Sequence, residues 1–324
     1  MNNQTYKAIR GQANLVWPLP HTTIRGDHSV MRPLEQDKIY NIDCIEGMRR
    51  IDNQTVDMIF TDLPYGTTHN PWDVVIPPEA LWPEYERILK PRGIILLFGQ
   101  DKFTATMMLS NPGMHKYNII WQKTTKTGFL NAKKMPLRCH EDIMVFYKAL
   151  PTYNPQKTTG HPPTHSFTKH TSDGTNYGKT KRGISGGGST ERYPTSIWTF
   201  TTDKQKSALH PTQKPVELCR YAIRTYTNPG DLVLDHCCGS GTIPLAAFWE
   251  GRHFIGMDNG VCHKEGSHFD GVPWADIATK RIDESMSKNP AKTQEEGDVT
   301  SENMPAFEWE RPENHRKAAG SARG

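Results

Sequence analysis

The residues best placed to do chemistry lie in one short stretch, Thr61-Asp62-Leu63-Pro64-Tyr65-Gly66. An acid, a stiff proline and an aromatic ring emerge together after the apolar run Val56-Asp57-Met58-Ile59-Phe60, which reads as a buried strand of a parallel sheet. In an open α/β sheet, ligands bind where strands end at their carboxyl termini. A carboxylate at that point can accept hydrogen bonds, and a ring beside it can stack on a flat partner.

A second constellation is Asp235-His236-Cys237-Cys238-Gly239-Ser240-Gly241-Thr242, set between a strand and a helix. Its paired glycines allow a tight turn and a close backbone approach to a ligand. Taken alone the pair also suits an ordinary strand-to-helix turn. Pro244 stands where a dinucleotide fingerprint has its third glycine, and there is no Gly-Lys-Ser/Thr of a P-loop, which argues against a pyrophosphate. Asp258 ends the next strand, where an acid can take both hydroxyls of a ribose. A nucleoside cofactor lacking a pyrophosphate fits both features, and S-adenosylmethionine is the candidate.

The elements that must position these residues alternate. Strands are expected at Lys38–Ile42, Val56–Asp62, Ile94–Phe98, Tyr117–Trp121, Ile143–Tyr147, Leu232–Leu234 and His253–Met257. An amphipathic turn at Ile45–Ile51 follows the first strand. Helices are expected from Pro78 to a close at Pro91 and Gly93, and over Asp101–Leu109, Pro215–Tyr226, Thr242–Trp249 and Trp274–Ser285. Such alternation predicts an α/β domain with a mostly parallel sheet flanked by helices. From Pro151 to about Lys206 the chain turns to Gly, Thr, Ser, Lys and His with little apolar periodicity, and we expect an irregular insert there.

Length and composition bound the class. The 324 residues can bury a full core, no apolar run approaches the ~18 residues of a membrane span, and the amino terminus has no secretory apolar segment. Six cysteines without framework spacing point to a reduced, cytoplasmic protein. Net charge is +4, yet residues 123–214 hold fifteen Lys/Arg against five Asp/Glu, so that segment carries +10 and the remainder −6. A basic middle suits a polyanion partner, although a solvated loop has the same composition. The crowded Cys262, His263 and His268 do not match spaced ligand pairs, and no metal is expected.

These motifs resemble a known family, the β-class amino-group DNA methyltransferases, in which the catalytic motif precedes the cofactor loop. Asp62-Leu63-Pro64-Tyr65 resembles its catalytic motif, commonly D-P-P-Y, and His210-Pro211-Thr212-Gln213-Lys214-Pro215 its helix-opening motif X. Asp235–Thr242 is similar to motif I, Asp258 to the acid of motif II, Asp43 to that of motif III, and His140-Glu141-Asp142, before its strand, to motif VIII. The likeness runs from about Lys38 to Ser285. Two departures stand out. Leu63 replaces the first proline, whose side chain does not face substrate, and His236-Cys237-Cys238 replaces the frequent Pro-Phe-x of a loop used mainly through its backbone.

The resemblance implies a Rossmann-like methyltransferase fold with an inserted target-recognition segment, acting on double-stranded DNA. It implies catalytic roles for Asp62, Pro64 and Tyr65, and cofactor binding by Asp43, Asp235, Gly239, Ser240, Gly241, Thr242, Asp258, Lys214 and Pro215. Expected divisions are a loose leader over 1–36, a catalytic half over 37–150, the recognition insert over 151–206, a cofactor half over 207–285 and a polar, disordered tail over 286–324. Aspartate at the head of the catalytic motif favours N6 of adenine, and N4 of cytosine is the close alternative. A nicotinamide oxidoreductase and a catalytically dead DNA-binding module are the rivals from other classes. No cysteine follows a proline, which excludes the usual C5-cytosine nucleophile and the P-C-x-x-C of zinc deaminases. A homodimer and a cognate restriction endonuclease are partners that the resemblance allows. Thr124–Lys134, with Phe129 among basic residues, can join the DNA face or pack Phe129 in the core. Trp72 can line the site or pack its loop.

Overall fold

The computed structural model describes residues 32–67, 73–169, 184–201, 213–263 and 269–288. Most of the leader, Trp72, His210 to Thr212 of motif X, His268, part of the recognition insert and the tail from 289 lie outside the described residues.

Eight strands form one sheet in the order β1-β10-β9-β2-β3-β5-β4-β8. They are β1 (Lys38–Tyr40), β2 (Val56–Thr61), β3 (Leu89–Gly99), β4 (His115–Thr127), β5 (Arg138–Phe146), β8 (Ile197–Phe200), β9 (Leu232–Asp235) and β10 (His253–Met257). A separate hairpin pairs β6 (Phe167–Lys169) with β7 (Ile184–Gly186). Only β5 runs against its neighbours, so the sheet is mostly parallel, as expected.

Side chains alternate across the sheet, and each face has its own layer of helices. On one face Ile59, Ile95 and Leu97 meet α1 (Cys44–Arg49), α2 (Pro78–Ile88) and α3 (Asp101–Ser110) through Met48, Leu81, Tyr85, Ile88, Phe103 and Met107. On the other, Met58, Phe60, Ile94 and Leu96 meet α4 (Val216–Tyr226), α5 (Thr242–Trp249) and α6 (Trp274–Lys288) through Leu218, Ala222, Ile223, Ala246 and Ile282. The spacing of Leu81, Tyr85 and Ile88 gives α2 its single buried stripe.

The chain winds outward in opposite directions from β2 and from β9, which lie side by side. That reversal opens a crevice at their carboxyl ends, the favoured ligand position of such sheets. At the opposite end Asp57 Oδ2 accepts from Lys90 Nζ at 2.7 Å and from the backbone N–H of Leu232 at 2.9 Å, tying the halves together.

Several elements differ from the expectation. Helix α2 ends at Ile88, and Pro91 and Gly93 sit within β3, where the register with β2 shifts between Val56 and Met58. A bulge tolerates a proline that a regular ladder would not. Strands β4 and β5 extend beyond their apolar cores into an exposed arm, so His140-Glu141-Asp142 lies inside β5 rather than before it. The insert is not wholly irregular, since β8 joins the sheet beside β4 and buries Trp198. Four residues among threonines and lysines offer too short a pattern to read. The leader's last residues dock as well: Leu34 is buried and its N–H donates to the Arg50 carbonyl.

Candidate active site

Strand β2 delivers Asp62 directly to the crevice. Leu63 turns into the core, 4% exposed, which is why a leucine can stand at this position. Gly66 adopts φ +67°, and a Cβ there would lie 2.8 Å from the Val75 side chain. Asp73, buried, accepts from the backbone N–H groups of Gly66 and Thr67 at 2.8 and 2.9 Å and closes the turn.

Both oxygens of Asp62 are engaged. Oδ1 accepts from the Tyr65 hydroxyl at 2.8 Å, and Oδ2 accepts from Lys214 Nζ at 2.5 Å. Lys214 is 8% exposed and also lies 3.4 Å from Glu141 Oε2, whose other oxygen takes Lys123 Nζ. Its ammonium sits 4.8 Å from the centre of the Phe98 ring. Two acids and two lysines from four segments thus form one buried chain of charge. Burial raises Asp62 above the usual carboxylate range, opposed by Lys214. Burial also pushes Glu141 up, but Lys214 and Lys123 together outweigh it and hold Glu141 low. Burial pulls Lys214 down, and the two carboxylates more than restore it. Burial carries the Tyr65 hydroxyl well above its usual value. The Tyr65 ring packs on Phe103, with centroids 4.8 Å apart.

Sequence reasoning put Lys214 at the cofactor. The structure pairs its side chain with Asp62 and Glu141. Pro215 is buried as the residue capping α4. Glu141 was recognisable as part of a motif, but its partnership with Lys123 spans two strands and leaves no local signal.

The glycine loop follows β9. Gly239 and Gly241 take φ +48° and +76°, and a Cβ on Gly241 would lie 2.8 Å from the Ala278 Cβ. Asp258 holds the loop from the end of β10: its Oδ2 accepts from Gly239 N–H at 2.8 Å and its Oδ1 from Gly260 N–H at 2.9 Å. Each oxygen keeps a further lone pair. Burial raises Asp258, against those two donors. Asp235 is almost fully buried, and burial raises it to about 7. Ser240 and Thr242 are buried, and Arg281 of α6 donates to the Ser240 carbonyl and to Thr242 Oγ1, each at 3.0 Å. Gln213 Nε2 is buried without a hydrogen-bond acceptor among the described residues. Asp43 lies at the end of β1 and caps α1, accepting from Ile45 and Glu46 N–H at 2.9 and 3.1 Å.

Beside this loop lies a group that the sequence did not reveal. Cys44 at the start of α1, with His236 and Cys237 after β9, place one ligand atom each within 4.8 Å of one another. A hydrogen bond from Cys237 lowers Cys44 to about 5, against burial and with help from His236. Residues 44 and 237 are too distant in sequence for spacing rules to join them. On the β4–β5 arm, Phe129 is 67% and Leu130 100% exposed, so Phe129 is not packed in the core.

A model of the N6/N4 DNA methylase family matches residues 56–265. The chain belongs to that family. The methylase is 27% identical over 244 residues to the type II methyltransferase M1.MboII of Moraxella bovis, covering 69% of this chain and 92% of that protein. It is 26% identical over 292 residues to the type II methyltransferase M.HinfI of Haemophilus influenzae, covering 76% and 68%. Among solved structures, the cytosine-N4-specific PvuII DNA methyltransferase shares the fold at a TM-score of 0.53, with 13% identity over 80% of this chain and 94% of that one. The family consists of S-adenosylmethionine-dependent DNA methyltransferases. No helix among the described residues of the methylase is long and apolar enough to cross a membrane.

Proposed function

We propose that the methylase transfers the methyl group of S-adenosylmethionine to the exocyclic N6 of adenine in a base turned out of double-stranded DNA. The observation that carries this reading is Asp62, a carboxylate at the crevice between β2 and β9, charge-compensated by Lys214 at 2.5 Å. Aspartate rather than serine at the head of this motif favours adenine over cytosine.

The residues of the loop suit the cofactor. The two left-handed glycines bring backbone close to a ligand, Asp258 has lone pairs left for ribose hydroxyls, and the unpaired donor of Gln213 would meet a carboxylate. Asp43, Asp235, Ser240, Thr242 and Pro215 are assigned to the same cofactor on the family resemblance. Bound there, the cofactor supplies an electrophilic methyl carried on a sulfonium.

An exocyclic amine is a weak nucleophile because its lone pair is delocalised into the ring. Asp62 and the backbone carbonyl of Leu63 or Pro64 accept its N–H groups, which favours a pyramidal nitrogen and frees the lone pair. The raised affinity of Asp62 for protons suits it to take the one that the amine releases. Lys214 and Glu141 hold Asp62 in place, so that positioning supplies much of the acceleration. Tyr65 stacks on the base with whatever part of its ring Phe103 leaves free. Lys126, Lys133 and Lys134, beside exposed Phe129 and Leu130, together with the segment over 151–206, form the DNA face through phosphate and base-edge contacts.

The test is mass spectrometry of nucleosides from unmethylated DNA incubated with cofactor and with either the intact chain or Asp62→Ala. N6-methyladenine made by the intact chain alone is the expected result. N4-methylcytosine would overturn the base assignment and keep the chemistry. No methylated base, with DNA and cofactor both bound, would overturn the catalytic reading.

A further inference from the structure

We propose that Cys44, His236 and Cys237 form a binding site for a soft divalent metal ion, zinc by preference, that joins helix α1 to the glycine loop. The three donor atoms lie within 4.8 Å of one another, and Cys237 Sγ is 3.4 Å from His236 Nδ1. Ligands around one tetrahedral zinc stand roughly 3.5–3.8 Å apart, so a small contraction of the cluster completes the geometry. Two thiolates and one imidazole are donors that select zinc over the hard cations magnesium and calcium.

The cluster also has what a bare group of cysteines lacks. With Nδ1 turned towards Cys237, the other ring nitrogen of His236 meets the Tyr85 hydroxyl at 2.6 Å. Tyr85 is fully buried in α2, and its ring lies 5.4 Å from that of His236. A metal-binding histidine almost always has such an oxygen partner on its second nitrogen, which fixes the ring and its tautomer. His236 is 1% exposed and Cys44 8%, whereas Cys237 is partly open, leaving the fourth position of the ion to solvent. Cys44 follows β1 and the other two follow β9, while β10 lies between those strands. A metal would therefore pin two separate strand ends on the side of the crevice where the glycine loop lies. This revises the sequence-based expectation of no metal, which considered only the crowded group near Cys262.

Cobalt(II) serves as the probe, added to the full chain reduced with a phosphine. The expected result is about one cobalt per chain with a thiolate-to-metal charge-transfer band and tetrahedral d–d bands. Cys44→Ser, His236→Gln and Cys237→Ser should each lose the bands, while Cys139→Ser keeps them. Tyr85→Phe keeps all three ligands and should weaken binding about 10–100-fold. Should the ligand variants fail to fold, alkylation of the unaltered chain gives the same answer. Bound metal should protect Cys44 and Cys237 and leave Cys139 reactive. Absence of the bands, bands that survive loss of a ligand, equal alkylation with and without metal, or a Cys44–Cys237 disulfide in place of metal uptake would overturn the proposal.

Discussion

Around Asp62 the protein works with side-chain charge, and around Gly239 to Gly241 it works with main chain. The first region gathers Asp62, Lys214, Glu141 and Lys123 from four separate segments, and each member leans on the next. The second presents backbone N–H groups, two left-handed glycines and carboxylates that bond to backbone. The difference explains which departures from the family pattern are tolerable. A loop that presents mainly backbone leaves its side chains freer to vary, and His236-Cys237-Cys238 is the departure found there. A charge chain has no such freedom, and only Leu63, which faces the core, departs from the pattern there.

The comparison can be broken at its strongest point first. Asp62→Ala should lower the methylation rate by at least about 100-fold while cofactor affinity changes little, read by single-turnover kinetics and by calorimetry. A parallel loss of cofactor binding would mean that the two regions are not separable. Lys214→Met leaves Asp62 and Glu141 without their shared cation and should cost about 3–5 kcal/mol in denaturant unfolding, the usual penalty for halving a buried ion pair. It should also move the acidic limb of the rate profile to higher pH, because Lys214 is what opposes the rise of Asp62.

The main-chain region should respond differently. Gly241→Ala meets Ala278 and a left-handed backbone, so about 1–3 kcal/mol of stability should go together with cofactor affinity. Asp235 binds its proton more tightly folded than unfolded, since burial raises it to about 7. Stability should thus fall as pH rises from about 4 to about 7, and Asp235→Asn should flatten that slope in thermal melts. The smallest effect belongs to Asp43→Ala. Loss of the α1 cap alone costs about 1 kcal/mol. A larger loss of cofactor binding than of stability would give that side chain a ligand contact beyond its cap.

What could be read in advance follows the same division. The strands and helices around β2, β9 and β10 were legible because unbroken apolar runs and proline–glycine punctuation are local signals. Both motifs were legible for the same reason. The bulge that carries Pro91 into β3 was not, because proline and glycine after a helix also end helices. Strand β8 was hidden by its brevity, and the arm ends of β4 and β5 carry polar residues whose pairing depends on each other. The ion pair of Lys214 with Asp62 was not legible because sequence order says nothing about which group a long side chain will reach across 152 positions. The Cys44–His236–Cys237 group illustrates the limit further, since no pattern in one segment announces a partner nearly two hundred positions away.

The bond between Asp57 and Leu232, 175 positions apart, marks where β2 and β9 run side by side. During synthesis the crevice cannot exist until the second of those strands has left the ribosome, however early the first has found β3. Loop closure over that span makes the seam slow to form relative to either half. A nascent chain would therefore pass through a stage with β2 already paired to β3 and the crevice still unformed, and the pairing of β10 with β9 and β1 can only follow.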